Sequence, residues 1–368
     1  MKLILETSSL LHPLTGIGRY THELAAGLSA KSGLEMKFWA QNRLFDDLET
    51  VKRLKPRTRF PLWSKPFRVI RNRLAPKRYA PQIARSIFHG PNFFVPPEAE
   101  RAVITVHDLS ILRYPETHPA ERLRQFELNL ERSVRQATKI LADSEFVRQE
   151  IIHEFSCPPD QVHTVYMGVS PQFSPPSETD ARLMAAYNLN ADGYTLCVAT
   201  LEPRKNIDKL LAAYQRQPES LRRRYPLILI GGHGWLADSL LEKIAAAEQQ
   251  GWVRKLGYVS ETDLIGLYRH ARLFAYPSAY EGFGLPVLES MACGVPVITS
   301  DRSSLPEVGG DAALPVNPDD TDRFAAALRQ GLEDNHWRTT ARERGLLQAA
   351  RFSWQRCVDE TYAVYKAV

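Results

Sequence analysis

Short runs rich in Val, Ile, Leu and Phe alternate along this chain with longer amphipathic stretches, the pattern of strand and helix units in a parallel sheet. Six runs, KLILE, EMKFWA, SIFHG, AVITVHD, KILAD and VHTVYM, fill the first half, and six more, YTLCVAT, PLILIGG, RKLGYV, RLFAYPS, VPVITSD and AALPV, fill the second. Between them lies GVSPQFSPPSETD, residues 168–180, whose three prolines and three serines continue neither element type and mark a linker. At 368 residues and 44% hydrophobic content the chain exceeds what one core usually supports. The expected architecture is therefore α/β, with two doubly wound domains at residues 1–172 and 173–352 whose strand ends and following loops face a cleft. Residues 353–368 read as a helix returning to the first domain, with Trp354, Val358, Tyr362 and Tyr365 on one face.

Several classes fall away on composition. Cys157, Cys197, Cys293 and Cys357 lie far apart without a CxxC pair, which argues against a disulfide framework and against a zinc site, and favours a reducing cytoplasm. The run at the start, MKLILETSSLL, is broken by Glu6 and too short for a signal peptide, and no stretch gives 18 consecutive apolar residues. A soluble or peripheral protein is expected. The net charge of +5 conceals an asymmetry: residues 51–90 hold twelve Lys and Arg and no acid, so the remainder is net acidic. Within that strip, Phe67, Ile70 and Leu74 recur at helical spacing while Arg68, Arg71 and Arg73 fall mostly elsewhere, and Trp63 precedes them. Residues 60–80 read either as a helix docking on an anionic membrane surface or as a solvated face over the first core. No nucleic-acid motif accompanies the charge.

Four constellations carry candidate chemistry. EGFGLPVLE sets Glu281 and Glu289 on either side of a glycine loop that leads into a helix with Pro286 in its first turn and Gly294 as its stop. The amides of Phe283, Gly284 and Leu285 are orphan donors suited to an anion. The two carboxylates match two vicinal diols, or else Glu281 only approaches the helix and Glu289 sits on a solvated face. In ATLEPRKN, Arg204, Lys205 and Asn206 open a helix where cations are disfavoured without an anion, which points to phosphate unless both simply face water. The turn TGIGRYTHEL contains Gly16 and Gly18, but Thr21 stands where a dinucleotide fingerprint needs its third glycine, so a nicotinamide cofactor is a weak reading. His107 and Asp108 end the strand VITVHD, where a metal would need further ligands; His107 suits substrate contact or a structural role. Asp320-Thr-Asp322 has the spacing of a metal-diphosphate motif, but it directly precedes the amphipathic run FAAALRQGL and is better read as a helix cap.

Taken in order, TGIGRYTHEL, VHDLSILRYPE, ADSEFVRQEI, ATLEPRKN, IGGHGW, GYVSETDL, YPSAYEGFGLPVLESMACGVPV and SLPEVGGDAAL resemble the retaining glycosyltransferases of family 4 over nearly the whole chain. The resemblance implies two Rossmann-like domains of the B-type glycosyltransferase fold. It also implies that Glu289 binds the nucleotide ribose and Glu281 the donor hexose hydroxyls, while Arg204 and Lys205 neutralise the diphosphate. Gly16, Gly282, Phe283, Gly284 and Leu285 would support the donor through main-chain amides. Gly257, Tyr258 and Val259 would read the base, His107 would lie beside the transferred sugar, and Ser144 would line the cleft. His107 and Glu281 are the expected catalytic pair, with no metal and no cofactor beyond the nucleotide-sugar donor. The motif style is most similar to bacterial mannosyltransferases that use GDP-mannose to extend O-antigen or related polysaccharides on a polyprenyl-diphosphate-linked or other glycan acceptor. That setting places the protein at the inner face of the cytoplasmic membrane. UDP-N-acetylglucosamine, UDP-glucose or dTDP-rhamnose are the alternative donors, and a non-catalytic nucleotide-sugar-binding protein is the alternative class.

Overall fold

The computed structural model of the chain describes residues 1–11, 16–54, 77–118 and 120–368. Trp63, Phe67, Arg68, Ile70, Arg71, Arg73 and Leu74 of the basic strip lie outside the described residues. Two compact units form: one from Met1–Leu109, Glu121–Gly168 and Trp354–Val368, the other from Ser110–Ala120 and Val169–Ser353. Ser110–Ala120 thus joins the second unit although the strand pattern on either side of it belongs to the first.

Among the described residues, the first unit contains β1 (Lys2–Glu6), β2 (Glu35–Ala40), β3 (Arg43–Phe45), β4 (Ile87–Gly90), β5 (Arg101–Val106), β6 (Lys139–Ala142) and β7 (Val162–Thr164). Their order is β3-β2-β1-β4-β5-β6-β7. All neighbours run parallel except β3, which pairs antiparallel with β2. β3 escaped the sequence pattern because Arg43, Leu44 and Phe45 are too few to show alternation. Interior strands are apolar on both faces, as a sheet covered by helices requires; β4 is buried throughout.

The second unit holds β8 (Thr195–Val198), β9 (Leu227–Ile230), β10 (Val253–Gly257), β11 (Leu273–Tyr276), β12 (Val297–Ser300) and β13 (Leu314–Val316), in the order β10-β9-β8-β11-β12-β13 and all parallel. In each unit the order reverses once, between β1 and β4 or between β8 and β11, and such switch points open a crevice at the strands' carboxyl ends.

Two helices of the first unit matter below, α1 (Gly16–Ser29) and α2 (Glu145–Phe155); three of the second do, α3 (Ile207–Gln215), α4 (Leu285–Ala292) and α5 (Thr321–Glu333). The last helix, α6 (Trp354–Lys366), belongs to the first unit and packs along α1. Its inward face is Trp354, Cys357, Val358, Thr361, Val364 and Tyr365, whereas Tyr362 is half-buried at the margin with Lys366 over its ring. Gly27 allows the close approach, since a Cβ there would stand 2.5 Å from Val358 Cγ2. All four cysteines are buried free thiols. Among the described residues no helix is long and apolar enough to cross a membrane.

Candidate active site

At the switch point of the second unit, the loop after β8 meets the loop after β11. Pro203–Lys205 makes one 3-10 turn, and Asn206 in the left-handed conformation (φ 52°) redirects the chain into α3. Asn206 Nδ2 donates to the Pro277 carbonyl at 3.1 Å, and the Ala279 amide donates to the Arg204 carbonyl at 2.9 Å, so the two loops are sewn together. Lys205 Nζ donates to Glu281 Oε1 at 2.6 Å, and Tyr276 Oη donates to the same oxygen at 2.8 Å. Arg204 Nη1 lies 3.8 Å from Glu281 Oε2 and donates to the Tyr280 carbonyl at 2.6 Å, while its Nη2 reaches Glu202 Oε1 at 2.8 Å. Lys205 and Glu281 are only 8% and 9% exposed. Burial alone would raise the Glu281 carboxyl, but Lys205 and then Arg204 outweigh it and hold it below its usual range.

The loop carrying Glu281 is also fixed from its far side. Its amide donates to Ser303 Oγ at 2.9 Å, and Ser304 Oγ donates to the carbonyls of Glu281 and Phe283 at 2.9 and 2.8 Å. Gly284 then takes φ 113°, a left-handed region that favours glycine, and starts α4 with Pro286 in the first turn. Glu289 is buried within α4 at 8% exposure. Its charge adds to burial in pushing the Tyr268 hydroxyl upward and the Cys293 thiol up to about 12. Cys293 follows α4, and Gly294, at φ 75°, ends it. Beyond Gly257 at the end of β10, Tyr258 is 83% exposed while Val259 is buried. The second unit therefore gathers Arg204, Lys205 and Tyr276 around the Glu281 carboxylate, with Gly282, Phe283, Gly284, Leu285 and Glu289 continuous with it along the chain.

The first unit has its own polar centre. β5 and β6 pair in register with Val106 opposite Ala142, so the next residues, His107 and Asp143, leave the sheet side by side. His107 Nδ1 and Asp143 Oδ2 stand 2.6 Å apart, with side chains 11% and 1% exposed. The ring of Tyr20 meets the His107 imidazole edge-on, with centroids 5.0 Å apart and planes at 85°. Behind it, Tyr20 Oη and His89 Nε2 each lie 2.9 Å from Thr105 Oγ1, and His89 Nδ1 bonds Tyr365 of α6. Burial, then the neighbouring His107, lowers His89 to about 3, so it is neutral. For His107, burial opposes the charged ring, but the Asp143 carboxylate outweighs it, and the group is raised above its usual value. Ser144 is fully buried and caps α2, its Oγ accepting from the Val147 amide at 3.2 Å. Gly16 opens α1. Thr21, at the missing third glycine, donates its hydroxyl back to the Ile17 carbonyl at 2.9 Å.

Residues 14–173 match the family described as Glycosyltransferase Family 4, and residues 182–347 match Glycosyl transferases group 1. The chain is 43% identical to O-antigen chain mannosyltransferase B of Escherichia coli, over 100% of both chains. The chain belongs to the family 4 glycosyltransferases. It is also 32% identical to the serotype-specific mannosyltransferase WbdA of Escherichia coli, over 69% of this chain and 32% of that one. Sucrose-phosphate synthase from Thermosynechococcus elongatus superposes with a TM-score of 0.77 at 20% identity, covering 100% of this chain and 98% of that one, which places the glycosyltransferase among B-type folds.

Three partners in this glycosyltransferase were not legible as site residues: Asp143, Tyr276 and Glu202. Asp143 was visible only as the acid ending KILAD, and nothing local links it to His107. Asp320 Oδ1 accepts from the Arg323 amide at 2.9 Å and so caps α5, while Asp322 pairs with Arg216. Among the described residues, no group of three or more His, Cys, Asp or Glu is placed to hold a metal ion.

Proposed function

We propose that this glycosyltransferase moves α-mannose from GDP-mannose, with retention of anomeric configuration, to a lipid-linked glycan acceptor in O-antigen synthesis. The observation that carries this reading is the 43% identity, along the entire chain, to an O-antigen chain mannosyltransferase. In the proposed scheme Glu289 holds the nucleotide ribose, Tyr258 and Val259 meet the base, and Glu281 holds the donor hexose. Arg204 and Lys205 counter charge on the departing diphosphate, with the amides of Phe283, Gly284 and Leu285 and of the loop at Gly16. Fixed cations and helix amides aimed at developing charge stabilise a leaving diphosphate without reorganisation, so the scheme uses no metal. His107 is the first unit's contribution at the transferred sugar.

The pairing within the second unit refines this scheme. Because Lys205 and Glu281 already neutralise each other, the diphosphate meets a cation whose charge is shared. Donor hydroxyls meet a carboxylate whose Oε1 is occupied by Lys205 and Tyr276. Glu281 then acts as a positioning group with oriented acceptor capacity, not as a free nucleophile.

Incubating the protein with GDP-mannose, UDP-glucose, UDP-N-acetylglucosamine and dTDP-rhamnose and a lipid-linked glycan acceptor tests the reading. Transfer from GDP-mannose alone, an α-linked product by NMR and full activity in EDTA are expected. Transfer from another donor, a β product or rescue by a divalent ion after chelation would overturn the corresponding part, and tight GDP-mannose binding without turnover on any acceptor would favour a non-catalytic binder. Peripheral docking through residues 60–80 is proposed alongside, with salt-sensitive binding to anionic but not neutral vesicles, removed by R68E, R71E and R73E together.

A further inference from the structure

We propose that Asp143 is the positioning residue of His107: its carboxylate keeps the imidazole proton on Nδ1, so that Nε2 is the nitrogen presented to the reacting sugar. The inference rests on the reading of His107 as the group that acts at that sugar.

The geometry begins in the sheet. With β5 and β6 paired in register up to Val106 and Ala142, any side chains at the next positions are neighbours, and here those are an imidazole and a carboxylate 2.6 Å apart. A carboxylate is acceptor-only, so Nδ1 must be the donor in this contact and Nε2 carries no proton while the ring is neutral. Two observations argue against a merely structural acid. Helix α2 is capped by Ser144 Oγ, so Asp143 is not needed as its cap. Asp143 is 1% exposed, yet its Oδ1 has no hydrogen-bond partner; His107 Nε2 is likewise buried and meets none with hydrogen-bond geometry, although the nearby Pro91 backbone adds to the raising of the ring. A buried ion held by a single contact is costly to fold, and such an arrangement is retained where one side must stay available.

The surroundings shift both members of the pair: burial first raises the Asp143 carboxyl, against the pull of His107, and Asp143 raises His107 in turn. Tyr20 of α1 meets it with its ring edge, and burial first pushes the Tyr20 hydroxyl well above its usual value. His89 of β4 stays neutral, and Asp108 adds negative charge from the next position along the chain. Cys357 of α6, near Asp143, is a thiol pushed up first by burial. Neutral His107 accepts a hydroxyl hydrogen bond at Nε2, and protonation removes that acceptor. Turnover therefore falls as pH drops through the His107 pKa, which Asp143 raises.

The test uses the full chain with GDP-mannose and acceptor. Asp143→Asn keeps the shape but removes the charge and lets the side chain donate to Nδ1, which moves the ring proton to Nε2. The expected result is a loss of turnover on the order of 100-fold, a donor Kd within about threefold by calorimetry, and an acidic limb displaced to lower pH. In a His107→Ala background the same substitution should cost little more. Nitrogen NMR of the wild-type imidazole, above its titration, should show Nδ1 protonated and Nε2 bare, and this measurement stands even if Asp143→Asn fails to fold. Undiminished turnover in Asp143→Asn, an unmoved acidic limb or a ring protonated at Nε2 would overturn the proposal. Wild type inactive with every acceptor and donor would instead overturn the transfer reading, with the NMR result still deciding the pair.

Discussion

Both units place a buried acid against a basic side chain just beyond two adjacent parallel strands, and both contacts are 2.6 Å long, but the two pairs are finished differently. Glu281 is held on one side: Lys205 and Tyr276 share one oxygen, and Arg204 lies 3.8 Å from the other. The His107–Asp143 pair is open, with an unpartnered polar atom on each member. A carboxylate fixed through one oxygen by a cation and a phenol keeps its orientation and charge while its other oxygen faces a ligand, which suits gripping. An open pair keeps a nitrogen in reserve, which suits contact with something that changes during the reaction.

Because Glu281 pairs with a buried Lys205, removing it should damage folding as well as transfer. Glu281→Ala strands Lys205 in a buried position and should cost about 3–5 kcal/mol of stability, measured by urea unfolding, whereas Lys205→Met combined with Glu281→Leu should be close to neutral in stability yet inactive. A stable, fully folded Glu281→Ala protein would dissolve the contrast. The depressed Glu281 carboxyl also fixes a sign. Its contribution to stability is complete above its ordinary pKa of 4.5 and is lost as pH falls from there through the lower folded value. An acid titration comparing wild type with the Met/Leu double variant should give matching stabilities at neutral pH and diverge only in that acidic range, where wild type alone loses this contribution.

Binding and turnover should separate between the two units. Glu289→Ala should weaken GDP and GDP-mannose alike by about 1.5–3 kcal/mol. His107→Ala should leave donor affinity within about 1.4 kcal/mol, or tenfold, while turnover falls far more. Equal losses of affinity in the two variants, read by calorimetry, would erase the division between a gripping unit and a reacting one. The smallest effect is expected away from both. Asp320→Ala removes a cap of α5 and should cost about 1 kcal/mol, with turnover unchanged with or without EDTA; chelator-sensitive activity would return Asp320 and Asp322 to a metal role.

Much of this was written locally. Each of the twelve apolar runs became a strand; the interior ones bury β-branched and aliphatic side chains on both faces where helices cover the sheet, and edge strands such as β10 are only partly buried. Pro286, Gly294 and Asp320 set helix limits through backbone chemistry that acts within a turn of the residue itself. Tertiary structure decided the partners. Asp143 lies 36 residues beyond His107, and Glu281 lies 76 beyond Lys205. Nothing in those intervals states which strands will be neighbours or in what register. Along the chain His107 has Asp108 beside it and Lys205 has Arg204; sheet order set them against Asp143 and Glu281. Hydrophobic periodicity is a property of consecutive residues, whereas an ion pair at a strand end exists only once β5 has met β6 and β8 has met β11.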